Sequence, residues 1–257
     1  MIRARHCVMP FRIGRRPALS STGPQASLGR NMGCAMDWLE FVVALLVFMA
    51  SHAVPARSGM KRALVSRLGR GGYGAVFGVI SLLLLWWVIA AAGRAPFVSI
   101  WDQQIWMRWL INLVMPLVVL LICLSVGAPN PLSFGGRAEG FDPARPGIAG
   151  VVRHPLLWAL LIWSLVHMLV NGDLAHVILF GLFALYAAVG MAMIDGRLRR
   201  RWGADVWVTR ASATSNLPFG GNWRRYRPGW SRPVIAIVIW ACLLHLHLPV
   251  IGVSPLP

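Results

Sequence analysis

The chain is predicted to be all-α, a polytopic membrane helix bundle of about six transmembrane helices plus one interfacial amphipathic helix. Three observations predict it. Of 257 residues, 57% are hydrophobic and only 13% charged, where soluble domains carry about a quarter charged. Six apolar runs stand near 38–56, 73–93, 106–126, 155–171, 174–194 and 233–251. The 25 basic residues, all Arg except Lys61, set the net charge at +17 and collect in the gaps between those runs. Cytoplasmic loops of membrane proteins look like this. Membrane topology therefore accounts for the charge, and no nucleic-acid partner is expected. The 13 Trp residues agree, since Trp favours the membrane interface.

Residues 1–35 are Arg-rich, lack Asp and Glu, and show no helical period. They also lack the apolar core of a signal peptide. They are expected to be a non-native or disordered extension, with the working membrane domain at 36–257 and its natural start at Met36. The first run, 38–56, carries His52 in SHAVPAR. The connection after it holds Arg57, Lys61, Arg62, Arg67 and Arg70. The fourth run belongs to VRHPLLWALLIWSLVHMLVNGD, residues 152–173. Pro155 suits the first turn of a helix, where its missing N–H goes unused. Gly172 suits the stop, and Asp173 the cap of the fifth helix.

Between the fifth and sixth runs lies the most basic connection, from Arg197 to Arg232. In DGRLRRRWGADVW, Leu198, Trp202 and Val206 recur every four residues beside the arginines. That pattern suits a helix on an anionic membrane surface, closed by the turn-rich TSNLPF at 214–219. The turn at 171–173 and the tail after Leu248 hold no basic residue. Six crossings then put the basic loops in the cytoplasm, with Met36 and the C-terminus outside.

Histidine carries the candidate chemistry, because an ionisable side chain inside a membrane helix is costly. His154 and His167 are 13 residues apart, hence about 20 Å apart along one helix and on different faces. They cannot share a metal. Ser164 and Asn171, at i−3 and i+4 from His167, form a polar stripe with it, and a neutral imidazole in an apolar site is a usual ligand of haem iron. The motifs show no carboxylate pair, Ser-His-Asp set, glycine-rich phosphate loop or zinc spacing, and no disulfide framework is indicated. Hydrolysis and phosphoryl transfer lack their equipment.

SHAVPAR at 51–57, the 152–173 stretch and the run from Asp195 to Phe219 resemble, in order and spacing, the NnrU family of bacterial membrane proteins. The resemblance implies a link to denitrification and nitrogen-oxide metabolism, with respiratory or denitrification complexes as partners besides the lipid bilayer. The family is similar to the plant 15-cis-zeta-carotene isomerase, an integral membrane enzyme with haem b. That similarity implies a haem b held through iron by His52 and His167, with Arg153, His154, Ser164 and Asn171 beside it. The enzyme has a cysteine where this chain has Ser164, so a thiolate ligand switch is not implied. A more distant resemblance, to isoprenylcysteine carboxyl methyltransferases, rests on Arg153-His154-Pro155, on Asp195 and on the basic run ending in Leu217-Pro218. It implies binding of S-adenosylmethionine. The third alternative is a non-catalytic assembly factor.

One tension accompanies the pairing of His52 with His167. Counting along the two helices in a core about 30 Å thick leaves them roughly 10 Å apart in depth. The rings meet only if one helix starts outside the core. Failing that, His245 is the alternative partner for His167.

Overall fold

In a computed structural model, residues 24–57 and 59–257 are described; residues 1–23, most of the expected extension, lie outside them. The described residues form eight helices and no strand. These are α1 (Pro24–Arg57), α2 (Met60–Arg94), α3 (Ile105–Ser125), α4 (Ile148–Val151), α5 (Pro155–Asn171), α6 (Leu174–Trp202), α7 (Ala204–Ala211) and α8 (Ser231–Ile251). All six apolar runs fall on helices, and α1 runs back to Pro24, upstream of Met36. Five helices are long and apolar enough to cross a membrane: Gly33–His52 within α1, Gly71–Arg94 within α2, and all of α3, α6 and α8. The sixth, α5, has 17 residues, or about 26 Å. The chain is a polytopic helix bundle.

Two compact units make up the chain. One comprises residues up to Trp101 together with Asp173–Leu179; the other comprises Asp102–Gly172 and Phe180–Pro257. In the first unit, α1 packs on α2. Glu40 joins them as a bidentate partner of Arg94, at 2.5 and 3.1 Å, and accepts a further hydrogen bond from the Trp87 indole at 3.1 Å. An acid inside an apolar span needs such partners, because lipid cannot solvate it. The buried Ala44, Ala91 and Ala92 are small, which lets membrane helices approach closely.

In the second unit, α3 packs on both α5 and α8. Arg232, at the start of α8, donates to the carbonyls of Cys123 and Leu124 at 3.1 and 2.8 Å. Those are free acceptors at the end of α3, where a cation also meets the negative end of the helix dipole. At the other end, Asn112 donates to Pro255 O at 2.7 Å.

The expected caps appear. Pro155 opens α5, and Gly172 ends it in the left-handed conformation (φ 66°) that an L side chain resists. Asp173 accepts from the His176 backbone N–H at 3.2 Å, capping α6. The amphipathic element differs from expectation. α6 continues through Leu198 to Trp202, then breaks at Gly203 (φ 81°) before α7. The four-residue period is thus split between two helices, because the glycine takes a conformation closed to other residues. Cys34 is disulfide-bonded, although spacing indicated no disulfide framework; Cys123 and Cys242 are free thiols.

Candidate functional site

A polar cluster among the described residues lies in the second unit, where the start of α5, the last third of α6 and the connections before α5 and after α7 converge. Arg153 and His154 precede Pro155, which keeps His154 out of the helical conformation (φ -114°, ψ 66°). Their side chains both reach Asp195. The Arg153 guanidinium donates to Asp195 Oδ2 at 2.5 Å, and His154 Nε2–H donates to Oδ1 at 2.8 Å. Arg153 also donates to Thr214 Oγ1 at 2.8 Å and lies over the Trp207 ring, 5.2 Å from its centroid.

His154 is fully buried, while the side chains of Arg153 and Asp195 are 13% and 18% exposed. A carboxylate cannot donate, so His154 carries its proton on Nε2, and in the neutral ring Nδ1 accepts from the Ser133 hydroxyl at 3.1 Å. Both ring nitrogens are engaged.

Backbone bonds weave the surrounding segments together. Asn130 Nδ2 donates to Arg153 O at 2.9 Å, Arg153 N–H to Ser215 O at 2.7 Å, and the Trp158 indole to Asn216 O at 2.9 Å. Glycine permits the weave. A Cβ on Gly150 would lie 2.6 Å from Asn222 O, and one on Gly136 would lie 2.2 Å from Asn130 O.

Sequence motifs indicated no Ser-His-Asp set, yet Ser133, His154 and Asp195 stand in hydrogen-bonded series. Its chemistry is that of an anchor. Arg153 neutralises the same carboxylate, so Asp195 has little charge to spare for an imidazolium, and a serine activated by His154 would lack that support. Arg153, His154 and Asp195 were singled out from their motifs. Ser133, Thr214 and Asn130 were not, because nothing local in NPLSFGG or TSNLPF marks a partner many residues away.

The histidines inside the helices are arranged differently. On α5, His167 Nδ1–H donates to Trp163 O, one turn back, at 2.8 Å. Its ring packs against Trp163 and Phe180, with centroids 4.9 and 5.2 Å away. Ser164 is buried and donates to Leu160 O at 2.7 Å, and Asn171 donates to His167 O at 2.7 Å. The polar stripe is real, and each member bonds a carbonyl of its own helix, as an apolar solvent demands.

In the first unit, His52 on α1 repeats the pattern. Its Nδ1–H donates to Phe48 O, also one turn back, at 2.9 Å. Its ring lies 4.5 Å from Phe48 and 5.3 Å from Phe77 of α2. Each histidine thus follows an aromatic residue by four positions and meets a phenylalanine of the next helix.

A carbonyl can only accept, so these bonds put the hydrogen on Nδ1 and the lone pair on Nε2 in both rings; the Ser51 hydroxyl also stands 3.1 Å from His52 Nδ1. An imidazole that ligates a metal through Nε2 is held this way, its other N–H given to a backbone carbonyl. His154 is the opposite tautomer, with its lone pair given to Ser133. The residues that would hold haem iron therefore fit that group in tautomer, and His154 does not.

Among the described residues no group of three or more His, Cys, Asp or Glu side chains could hold a bare metal ion. A porphyrin supplies four nitrogens of its own and asks the protein for only one or two more. His176, which opens α6, donates Nδ1–H to Asp173 at 2.7 Å, and His247 Nδ1 to Val253 O at 2.7 Å.

The family model described as NnrU protein matches residues 40–255. No curated protein and no solved structure matches the chain.

Proposed function

The chain belongs to the NnrU family and is an integral membrane protein. On that premise we propose that it binds haem b through the Nε2 atoms of His52 and His167, in nitrogen-oxide metabolism or an isomerase-like reaction. The observation that carries the reading is the shared hydrogen bond. Two histidines, far apart in sequence, both commit Nδ1–H to the carbonyl four residues earlier.

Such a bond raises the basicity of the ligating nitrogen and fixes the ring plane. The aromatic rings beside each imidazole keep water away and offer flat apolar surface. Haem, when bound, supplies one-electron redox chemistry. This chain's own part is to hold the two imidazoles oriented. Ser164 bonds its own helix and has no thiol to offer the iron. The basic connections 57–70 and 197–232 belong on the cytoplasmic side of a bacterial inner membrane in this reading.

The test is absorption spectroscopy of the purified protein with the two single histidine variants. Loss of the Soret band in His167→Ala and a changed one in His52→Ala are expected. A colourless protein from haem-replete cells overturns the reading.

The methyl-transfer alternative requires Arg153 and Asp195 in one site, and they do meet at 2.5 Å. Both are spent on each other and on His154 and Thr214, which leaves S-adenosylmethionine little to bond. Calorimetric titration with that cofactor separates the two readings. Retention of respiratory or denitrification complexes by a colourless protein would favour the assembly factor.

A further inference from the structure

α2 is not one straight helix. Its first turns, Met60–Leu68, are basic, and its apolar span begins only at Gly71. Between them Gly69 has φ 71° and ψ 169°, a conformation essentially restricted to glycine. In a continuous helix, Lys61 and Tyr73 would stand about 18 Å apart along the axis. The bend brings Lys61 Nζ to 5.9 Å from the centre of the Tyr73 ring.

The concave side of the bend is a hollow of about 620 Å³ lined by Lys61, Arg62, Val65, Ser66 and Tyr73. We propose that this hollow binds the phosphate of an anionic phospholipid headgroup. Four features converge on that ligand. Lys61 and Arg62 are exposed cations at its mouth. Neither forms an ion pair among the described residues, and from Phe41 to Trp101 the sequence holds no Asp or Glu to neutralise them. The Tyr73 hydroxyl adds a donor for phosphate oxygens, and Val65 adds an apolar wall for the glycerol carbons. The hollow sits where the apolar span starts, the level at which lipid phosphates lie and where Tyr is favoured. A free phosphate shares the recognised chemistry but not the need to sit at that level.

The test uses the full chain in vesicles of phosphatidylglycerol or phosphatidylcholine, with lipid retained after detergent extraction read by native mass spectrometry. Phosphatidylglycerol should be retained over phosphatidylcholine, and K61Q/R62Q should lower retention by on the order of tenfold. R224Q/R225Q, which removes two exposed charges elsewhere, should leave it unchanged. Tyr73→Ala should also lower it several-fold, because it removes one wall and no charge. Equal loss in both charge variants, or full retention in Tyr73→Ala, would mean diffuse attraction and would overturn the proposal. Saturation by millimolar inorganic phosphate with no lipid preference would overturn it as well, in favour of a soluble anion.

Discussion

Asp195→Asn is the substitution whose cost follows most directly from the geometry. The carboxylate holds Arg153 at 2.5 Å and His154 at 2.8 Å, with side chains 13% and 0% exposed. Asparagine keeps the shape but loses the charge, and its NH₂ must face one of two donors, Arg153 N–H or His154 Nε2–H. Removing one partner from a fully buried pair costs about 3–5 kcal/mol. The residual exposure, and the bonds Arg153 keeps with Thr214 and Trp207, reduce the expected loss to about 2–4 kcal/mol. That is a large share of the ~5–15 kcal/mol by which domains are stable.

Reversible unfolding in bicelles, followed by Trp fluorescence, measures it. Arg153→Gln and the double variant complete a cycle, in which the pair should show coupling well above ~0.5 kcal/mol. Asp142→Asn is the control. Its bond to Arg145 is exposed, so no measurable change is expected. A loss below about 1 kcal/mol for Asp195→Asn, or additive single effects, would refute the view that this network ties the end of α6 to the start of α5.

Two further outcomes follow from the same unit. Gly150→Ala places a Cβ 2.6 Å from the Asn222 carbonyl oxygen. Backbone cannot yield as a side-chain tip does, so a loss of at least ~1–3 kcal/mol is expected, whereas Gly229→Ala, with open space around it, should be neutral; thermal unfolding of purified protein compares them. Burial pushes the Tyr226 hydroxyl above its usual pKa, with Arg232 opposing. Because the folded state resists ionisation more than the unfolded chain, stability should fall as pH rises past about 10. Tyr226→Phe should flatten that decline, and an equal decline in the variant would assign it elsewhere.

The fold was legible because membrane helices announce themselves in composition. Apolar runs cannot be hidden, and Pro155, Gly172 and Asp173 mark their helix ends by local backbone preference alone. The break at Gly203 was harder, since the apolar period of Leu198, Trp202 and Val206 runs straight across it. Period reports side-chain placement, and only the glycine hinted at the backbone. Arg153, His154 and Asp195 could be picked out as polar residues bordering apolar runs. Their partners Ser133, Thr214 and Trp207 could not, because those contacts are made only when distant segments converge. His52 and His167 stood out as ionisable residues in apolar helices. Their common tautomer was not legible, since it depends on which ring nitrogen meets a carbonyl.

The central claim is that His52 and His167 each present Nε2 to a haem iron. The most direct measurement is the absorption spectrum of the protein purified from haem-replete cells, alongside His167→Ala and, as a control, His154→Ala. A Soret band absent from His167→Ala and retained, per folded molecule, by His154→Ala is the predicted result. No band in the unsubstituted protein, or a band indifferent to His167, would contradict it.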